Sequence, residues 1–182
     1  MRFTPTPLAG AYVIDVEPLA DERGLFARTW CRREMEARGL DSGLVQCSTS
    51  FNKWRGTLRG MHFQASPDQE VKIIRCTRGA IHDVVLDLRP GSPTFTRWFA
   101  AELSADNRSA LYVPAGMAHG FQTLTDDAEV LYQMSEFHRP ESARGVRWND
   151  PAFAIEWPSV AERTMSERDR GWPDFHPEQV RR

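Results

Sequence analysis

The residues best suited to chemistry lie between Arg55 and Gln64, R-G-T-L-R-G-M-H-F-Q. Two arginines, two glycines and a histidine are interleaved there with apolar Leu58, Met61 and Phe63. A buried strand has no use for Arg59, so an anionic group is expected to meet it. Gly56 and Gly60 allow the backbone to bend or to pass close to a ligand. His62, flanked by Met61 and Phe63, is expected in a partly apolar wall, where its proton affinity can be tuned. A histidine of this kind, met alone, is more often a buried, hydrogen-bonded core residue beside a surface arginine. Other residues further along the chain argue for more.

The elements that must position these groups read as short strands. Ala11–Val16, Gln46–Phe51, Glu70–Thr77, Ala80–Leu88, Phe95–Leu103, Ser109–Val113, Gly120–Leu124 and Glu129–Ser135 carry strand signals. Leu25–Trp30 reads as strand or bend, and Arg32–Arg38 as a short helix ending at Gly39. Turn chemistry separates them, at Asp21–Gly24, Asn52–Gly56, Arg78-Gly79, Pro90–Pro93, Asp106-Asn107, Pro114–Gly116 and Asp126-Asp127. Spacing near ten residues predicts an all-β sandwich or barrel. The tail from Trp148, rich in proline and tryptophan, is expected to wrap the body as loops and short helices. No repeat or low-complexity stretch divides the chain, so residues 1–182 read as one domain.

Composition narrows the partners. A formal net charge of −2 provides no basic field for nucleic acid or a membrane surface. Three scattered cysteines, Cys31, Cys47 and Cys76, form no C-x-x-C pair, so reduced cytoplasmic thiols are expected rather than a disulfide framework or zinc site. The N-terminal residues do not resemble a signal peptide.

Pro114–Phe121 has the form P-x-G-x-x-H-x-F and resembles the second motif of the cupin jelly rolls. Metal-binding cupins supply H-x-H and a glutamate from their first motif. Here the corresponding place reads His62-Phe63-Gln64, and two histidines make a poor metal site. No metal and no cofactor are expected. His119 remains available as a hydrogen-bonding group, or as a turn histidine satisfied by backbone.

L-R-G-M-H-F-Q, Lys72, D-L-R-P-G-S-P-T-F, V-P-A-G-M-A-H-G-F and R-W-N-D-P, in that order, resemble the dTDP-4-dehydrorhamnose 3,5-epimerase family from about Ala11 to Phe175. The resemblance implies a cupin-like jelly roll, a homodimer with N-terminal strands at its interface, and a nucleotide-linked 4-keto sugar as substrate in deoxysugar biosynthesis. It implies that His62 is the catalytic base, Tyr132 the catalytic acid and Asp169 the carboxylate paired with the histidine. It also matches Arg23, Phe26, Gln46, Arg59, Lys72, His119 and His138 to substrate-contacting positions, with Arg23 reaching a neighbour's pocket.

The residue chemistry suits that role. A proton beside a ketone is acidic because the carbanion spreads onto the ketone oxygen as an enolate. Removing it takes a base near neutral pKa, a cation at the oxygen and an acid on the opposite face. Histidine, about 6.5 unperturbed, and tyrosine, about 10, supply base and acid. Lys72 could supply charge to the enolate, and arginines offer bidentate donors to a diphosphate. Without the resemblance, Tyr132 reads as core, Asp169 as part of a solvated face or a helix start, and Lys72 as an exposed strand residue. Asp83 and Asp87 could pair with Arg75 or Arg89 and receive no catalytic role; His82, on their strand, could approach the pocket.

The chain departs from the family's pattern where a nucleotide would be held. Arg28 stands where an acid is common, His138 where a tyrosine often stacks, Ala143 near a common glutamate and Arg168 at a common lysine. The turn at Asn52–Gly56 is shorter than in many members. Three other readings compete: a 3-epimerase acting at one carbon, a metal-dependent cupin enzyme, and a non-catalytic sugar-nucleotide binding module.

Overall fold

A computed structural model describes residues 1–180 of the protein. The strands are β1 (Arg2–Pro5), β2 (Tyr12–Asp15), β3 (Leu19–Asp21), β4 (Gly24–Phe26), β5 (Gln46–Asn52), β6 (Leu58–Gln64) and β7 (Lys72–Arg78). They continue with β8 (Ala80–Asp87), β9 (Trp98–Ser104), β10 (Ala110–Val113), β11 (Met117–Thr123), β12 (Ala128–Met134) and β13 (Ala143–Gly145). Helix α1 (Arg32–Glu36) follows β4, and α2 (Glu167–Arg170) lies in the tail. A six-stranded sheet runs β1-β2-β10-β7-β12-β5, and a five-stranded sheet runs β13-β6-β11-β8-β9. Both are antiparallel throughout, and β3 and β4 form a separate hairpin. The fold is a cupin-like jelly roll.

Three apolar layers explain why strand alternation is imperfect in the sequence. Ile74, Cys76, Leu111 and Val130 of the larger sheet meet Ile81, Val85, Leu103 and Phe121 of the smaller one in the central core. The tail covers the smaller sheet's outer face, where Val146, Phe153, Ile155 and Phe175 pack on Met61, Val84, Leu86 and Ala118. Met1 and Met35 of α1 cover Ile14, Ile73 and Tyr112 on the larger sheet's outer face. β8 is therefore buried on both faces. Ile81, Asp83 and Val85 point to one and His82, Val84 and Leu86 to the other. His82 thus sits under the tail, edge-on to Trp157 at 6.0 Å, away from the cavity that the sequence had it approaching.

Several boundaries differ from the sequence reading. β11 begins at Met117 rather than Gly120, so His119 lies in a strand and not a turn. β9 begins at Trp98 rather than Phe95, because Thr96 takes a positive φ of 64° and closes a turn. The strand after Gly24 stops at Phe26. β1 and β13 carry no strand pattern in the sequence. The three cysteines are free thiols, with Cys76 buried and Cys47 exposed. Among the described residues, no helix is long and apolar enough to cross a membrane.

Candidate active site

Two glycines let β6 and β11 approach closely. A Cβ on Gly60, whose φ is +138°, would lie 2.5 Å from the Cα of Gly120. One on Gly120 would lie 2.7 Å from the Met61 sulfur. The register of these strands shifts between His119 and Phe121, which places His62 directly opposite His119. Gly56, the other glycine singled out in the sequence, has φ +82° and abuts the backbone of Glu162, where the tail comes alongside.

The tail delivers a carboxylate to this point. Thr164 bridges Thr57 in parallel, with Leu58 N–H donating to the Thr164 carbonyl at 2.9 Å. Ser166 then caps α2 by accepting from Asp169 N–H at 3.1 Å. Asp169, which the sequence left between solvated face and helix start, is buried at the end of that short helix. Its Oδ1 lies 2.6 Å from His62 Nε2, and Gly60 N–H reaches Oδ2 at 3.4 Å. Burial works to raise the Asp169 carboxyl. The hydrogen bond and charge of His62, aided by the amide of Gly60 and the Ser166 hydroxyl, prevail and hold it below the usual carboxylate range. An ionised Asp169 can only accept a hydrogen bond, so Nε2 of His62 carries the ring hydrogen and donates it, and Nδ1 holds the free lone pair.

Tyr132 comes from β12 in the opposite sheet. It lines the same cavity, of about 390 Å³, as His62, Lys72, Arg59 and His119. Burial, and then the negative charge of Asp83, push its hydroxyl well above the ordinary phenol value, so it stays protonated. Lys72, at the start of β7, is buried and not an exposed strand residue. Its Nζ lies 2.8 Å from Glu70 Oε1 and 3.3 Å from the His62 carbonyl oxygen. His119 forms a second imidazole–carboxylate pair, Nε2 to Asp83 Oδ1 at 2.7 Å, with its ring edge-on to Tyr132 at 5.8 Å. Burial raises the Asp83 carboxyl, while His119 opposes the shift. Asp83 therefore pairs with neither Arg75 nor Arg89. Asp87 does pair with Arg89, at 2.7 Å.

The rim of the cavity is cationic. Arg59 is held by Asn52 Oδ1, which accepts from its Nε at 2.8 Å. Arg144, Arg168 and His138 also border the opening. Gln46 lies outside the lining and accepts from the His138 backbone N–H at 3.2 Å. Arg23 and Phe26 are not brought to this cavity within the chain. Both are exposed on the β3–β4 hairpin, where Arg23 pairs with its own Asp21 at 2.6 Å. The sequence reading passed over Glu70 and assigned Asp83 nothing. Spacing offered a signal for Glu70 alone, since residues two apart on an extended chain share a face. Among the described residues, no group of three or more His, Cys, Asp or Glu side chains is placed to hold a metal ion.

The chain is similar to known proteins along nearly its whole length. Residues 5–177 match the dTDP-4-dehydrorhamnose 3,5-epimerase family. A dTDP-4-dehydrorhamnose 3,5-epimerase of Sinorhizobium fredii is 40% identical over 175 residues, covering 96% of this chain and 90% of the relative. The crystal structure of the Bacillus anthracis dTDP-4-dehydrorhamnose 3,5-epimerase with TDP and PPi bound superposes with a TM-score of 0.91 at 38% identity, over 96% of this chain and 99% of that one. ChmJ, a 3'-monoepimerase from Streptomyces bikiniensis solved with dTDP-quinovose, superposes with a TM-score of 0.86 at 34% identity, over 93% and 86%. A jelly roll that gathers an imidazole–carboxylate pair, a protonated phenol and an ammonium in one cavity, with relatives of this kind along nearly its whole length, belongs to the dTDP-4-dehydrorhamnose 3,5-epimerase family of sugar-nucleotide isomerases.

Proposed function

We propose that this cavity epimerises a dTDP-linked 4-keto-6-deoxyhexose, of the dTDP-4-dehydro-6-deoxyglucose type. The observation that carries the reading is that His62 and Tyr132 come from opposite sheets and face one cavity. His62, its ring oriented by Asp169, removes the proton beside the C4 ketone. The electrons move onto the ketone oxygen, and the Lys72 ammonium stabilises the enolate. Tyr132 returns a proton to the carbon from the other face. A single base working on one face would mostly restore the starting stereochemistry, so inversion needs both groups. Arg59 and the cationic rim hold the diphosphate, His119 contacts the sugar, and His138, fixed by Gln46, lies beside the nucleotide base.

The whole chain acts as one cytoplasmic catalytic domain, and two copies form a homodimer. The β3–β4 hairpin exposes Leu19, Leu25 and Phe26, while β5 leaves an unpaired sheet edge beside exposed Val45, Phe51 and Trp54. A two-fold arrangement that lays one protomer's hairpin near its partner's β5 covers both and brings Arg23 and Phe26 to the partner's cavity. A second reading, inversion at one carbon only, is favoured by the likeness to ChmJ.

Proton NMR of the reaction in heavy water tests the function, since each inverted carbon gains deuterium. Label at two ring carbons is the expected result. Label at one alone establishes the single epimerase, and no label with any 4-keto-6-deoxyhexose nucleotide defeats the proposal.

A further inference from the structure

Glu70 is a buried carboxylate with no part in the chemistry above, yet it lines the cavity. Its Oε1 sits 2.8 Å from Lys72 Nζ, and the side chains of the pair are 7% and 10% exposed. The intervening Val71 is pinned on both backbone atoms. Its N–H donates to Ser135 Oγ at 2.8 Å, and its carbonyl accepts from Ser135 N–H at 3.0 Å. Glu70 and Lys72, on either side of this anchored residue, are thereby held together.

We infer that Glu70 is a positioning residue, holding the Lys72 ammonium at the place where negative charge develops; this rests on the role given to Lys72 above. A lysine side chain has many rotamers to lose on being fixed and otherwise extends its head toward water. An ammonium has three donors. Glu70 takes one and the His62 carbonyl a second, at 3.3 Å. The third is left for the enolate oxygen. Both anchors lie on the cavity's own wall, and one of them is the backbone of the base, so the cation is referenced to the reacting atoms before substrate arrives.

A double-mutant cycle tests this on the full chain, with kcat and KM measured for the dTDP-linked 4-keto-6-deoxyglucose. Glu70→Met keeps volume and removes the acceptor; Glu70→Ala is the parallel variant should Glu70→Met fail to fold. Glu70→Gln keeps an acceptor without the charge. Lys72→Met is expected to lose roughly 10²–10³ in kcat, as for other donors to a developing oxyanion. Glu70→Met should lose about tenfold or more in kcat with KM little changed, and Glu70→Gln should recover most of it. The double variant should be no slower than Lys72→Met alone, because Glu70 has nothing left to position. Glu70→Met with wild-type kcat, beside a crippled Lys72→Met, overturns the role of Glu70 and leaves that of Lys72 standing. Losses that multiply in the double variant overturn it too, for Glu70 then acts by its own route. Lys72→Met with wild-type kcat overturns the role of Lys72 itself.

Discussion

His62 and His119 are cross-strand partners on β6 and β11, and each presents Nε2 to a different carboxylate, Asp169 at 2.6 Å and Asp83 at 2.7 Å. Their exposure separates them. The His62 side chain is 43% exposed and the His119 side chain 4%. Both line the cavity, but the first presents much of its ring to the opening and the second only a small part. The second is set inside the sandwich, its ring fixed by Asp83 and packed edge-on to Tyr132.

Asp169→Asn should lower kcat by about 10²-fold or more while leaving the fold intact. The amide can still meet the ring, but it has no charge to stabilise the imidazolium that forms when His62 takes the proton. It can also present its NH₂ group and favour the wrong tautomer. Steady-state kinetics beside a thermal melt checks this. A variant within about threefold of wild type would remove Asp169 from the mechanism.

Tyr132→Phe should separate the two halves of the reaction. His62 can still remove the proton and return a solvent-derived one to the same face, so substrate recovered from heavy water should carry deuterium without inversion. Product formation should fall by about 10²-fold or more. The hydroxyl is pushed above the ordinary phenol range, so tyrosinate absorbance at pH 10.5 should be the same with and without it. Full inversion by the variant would place the acid elsewhere.

Much of this architecture is legible in the sequence where one physical rule acts alone. The strands through the middle of the chain announce themselves by β-branched and aromatic runs between turn residues. β1 does not, since Thr4-Pro5-Thr6-Pro7 has neither alternation nor a full set of N–H donors; pairing with β2, Thr4 opposite Val13, makes it a strand. β13 is three residues long and exists because β6 offers an edge. His62 draws attention by its own setting, but Tyr132, Lys72 and Asp169 could be singled out only through resemblance, because their surroundings in one dimension are those of ordinary strand or surface residues. Asp83 and His119 are 36 residues apart and meet through the packing of β8 on β11, which no local pattern encodes.

Acid should expose the Asp87 network. Burial works to raise this carboxyl, but Arg89, Ser92 and Thr94 all donate to it and bring it down to about 2. A depressed carboxyl stabilises the fold fully above its unfolded value, near 3.9, and loses that contribution as pH falls toward the folded value. The difference corresponds to roughly 2–3 kcal/mol. Urea midpoints of wild type and Asp87→Asn should therefore differ by a constant amount above pH 5 and converge between about pH 4 and 2. A gap that ignores pH would mean that shape, not charge, makes the network matter.

Arg23 does not line the cavity of its own chain and is tied to Asp21 at the tip of a hairpin whose apolar residues face solvent. If it serves the partner's cavity, two dead enzymes should revive each other. Arg23→Ala keeps an intact His62 but offers its partner no arginine; His62→Ala offers the arginine but has no base. A heterodimer holds one complete cavity of two, made from the His62 of one protomer and the Arg23 of the other. Random re-association makes half of all dimers mixed, so about a quarter of wild-type activity should return on co-refolding the two variants. Each variant refolded alone should stay inactive. A mixture as inactive as its parents, with mixed dimers demonstrated by a size or charge tag on one of them, would confine Arg23 to its own subunit.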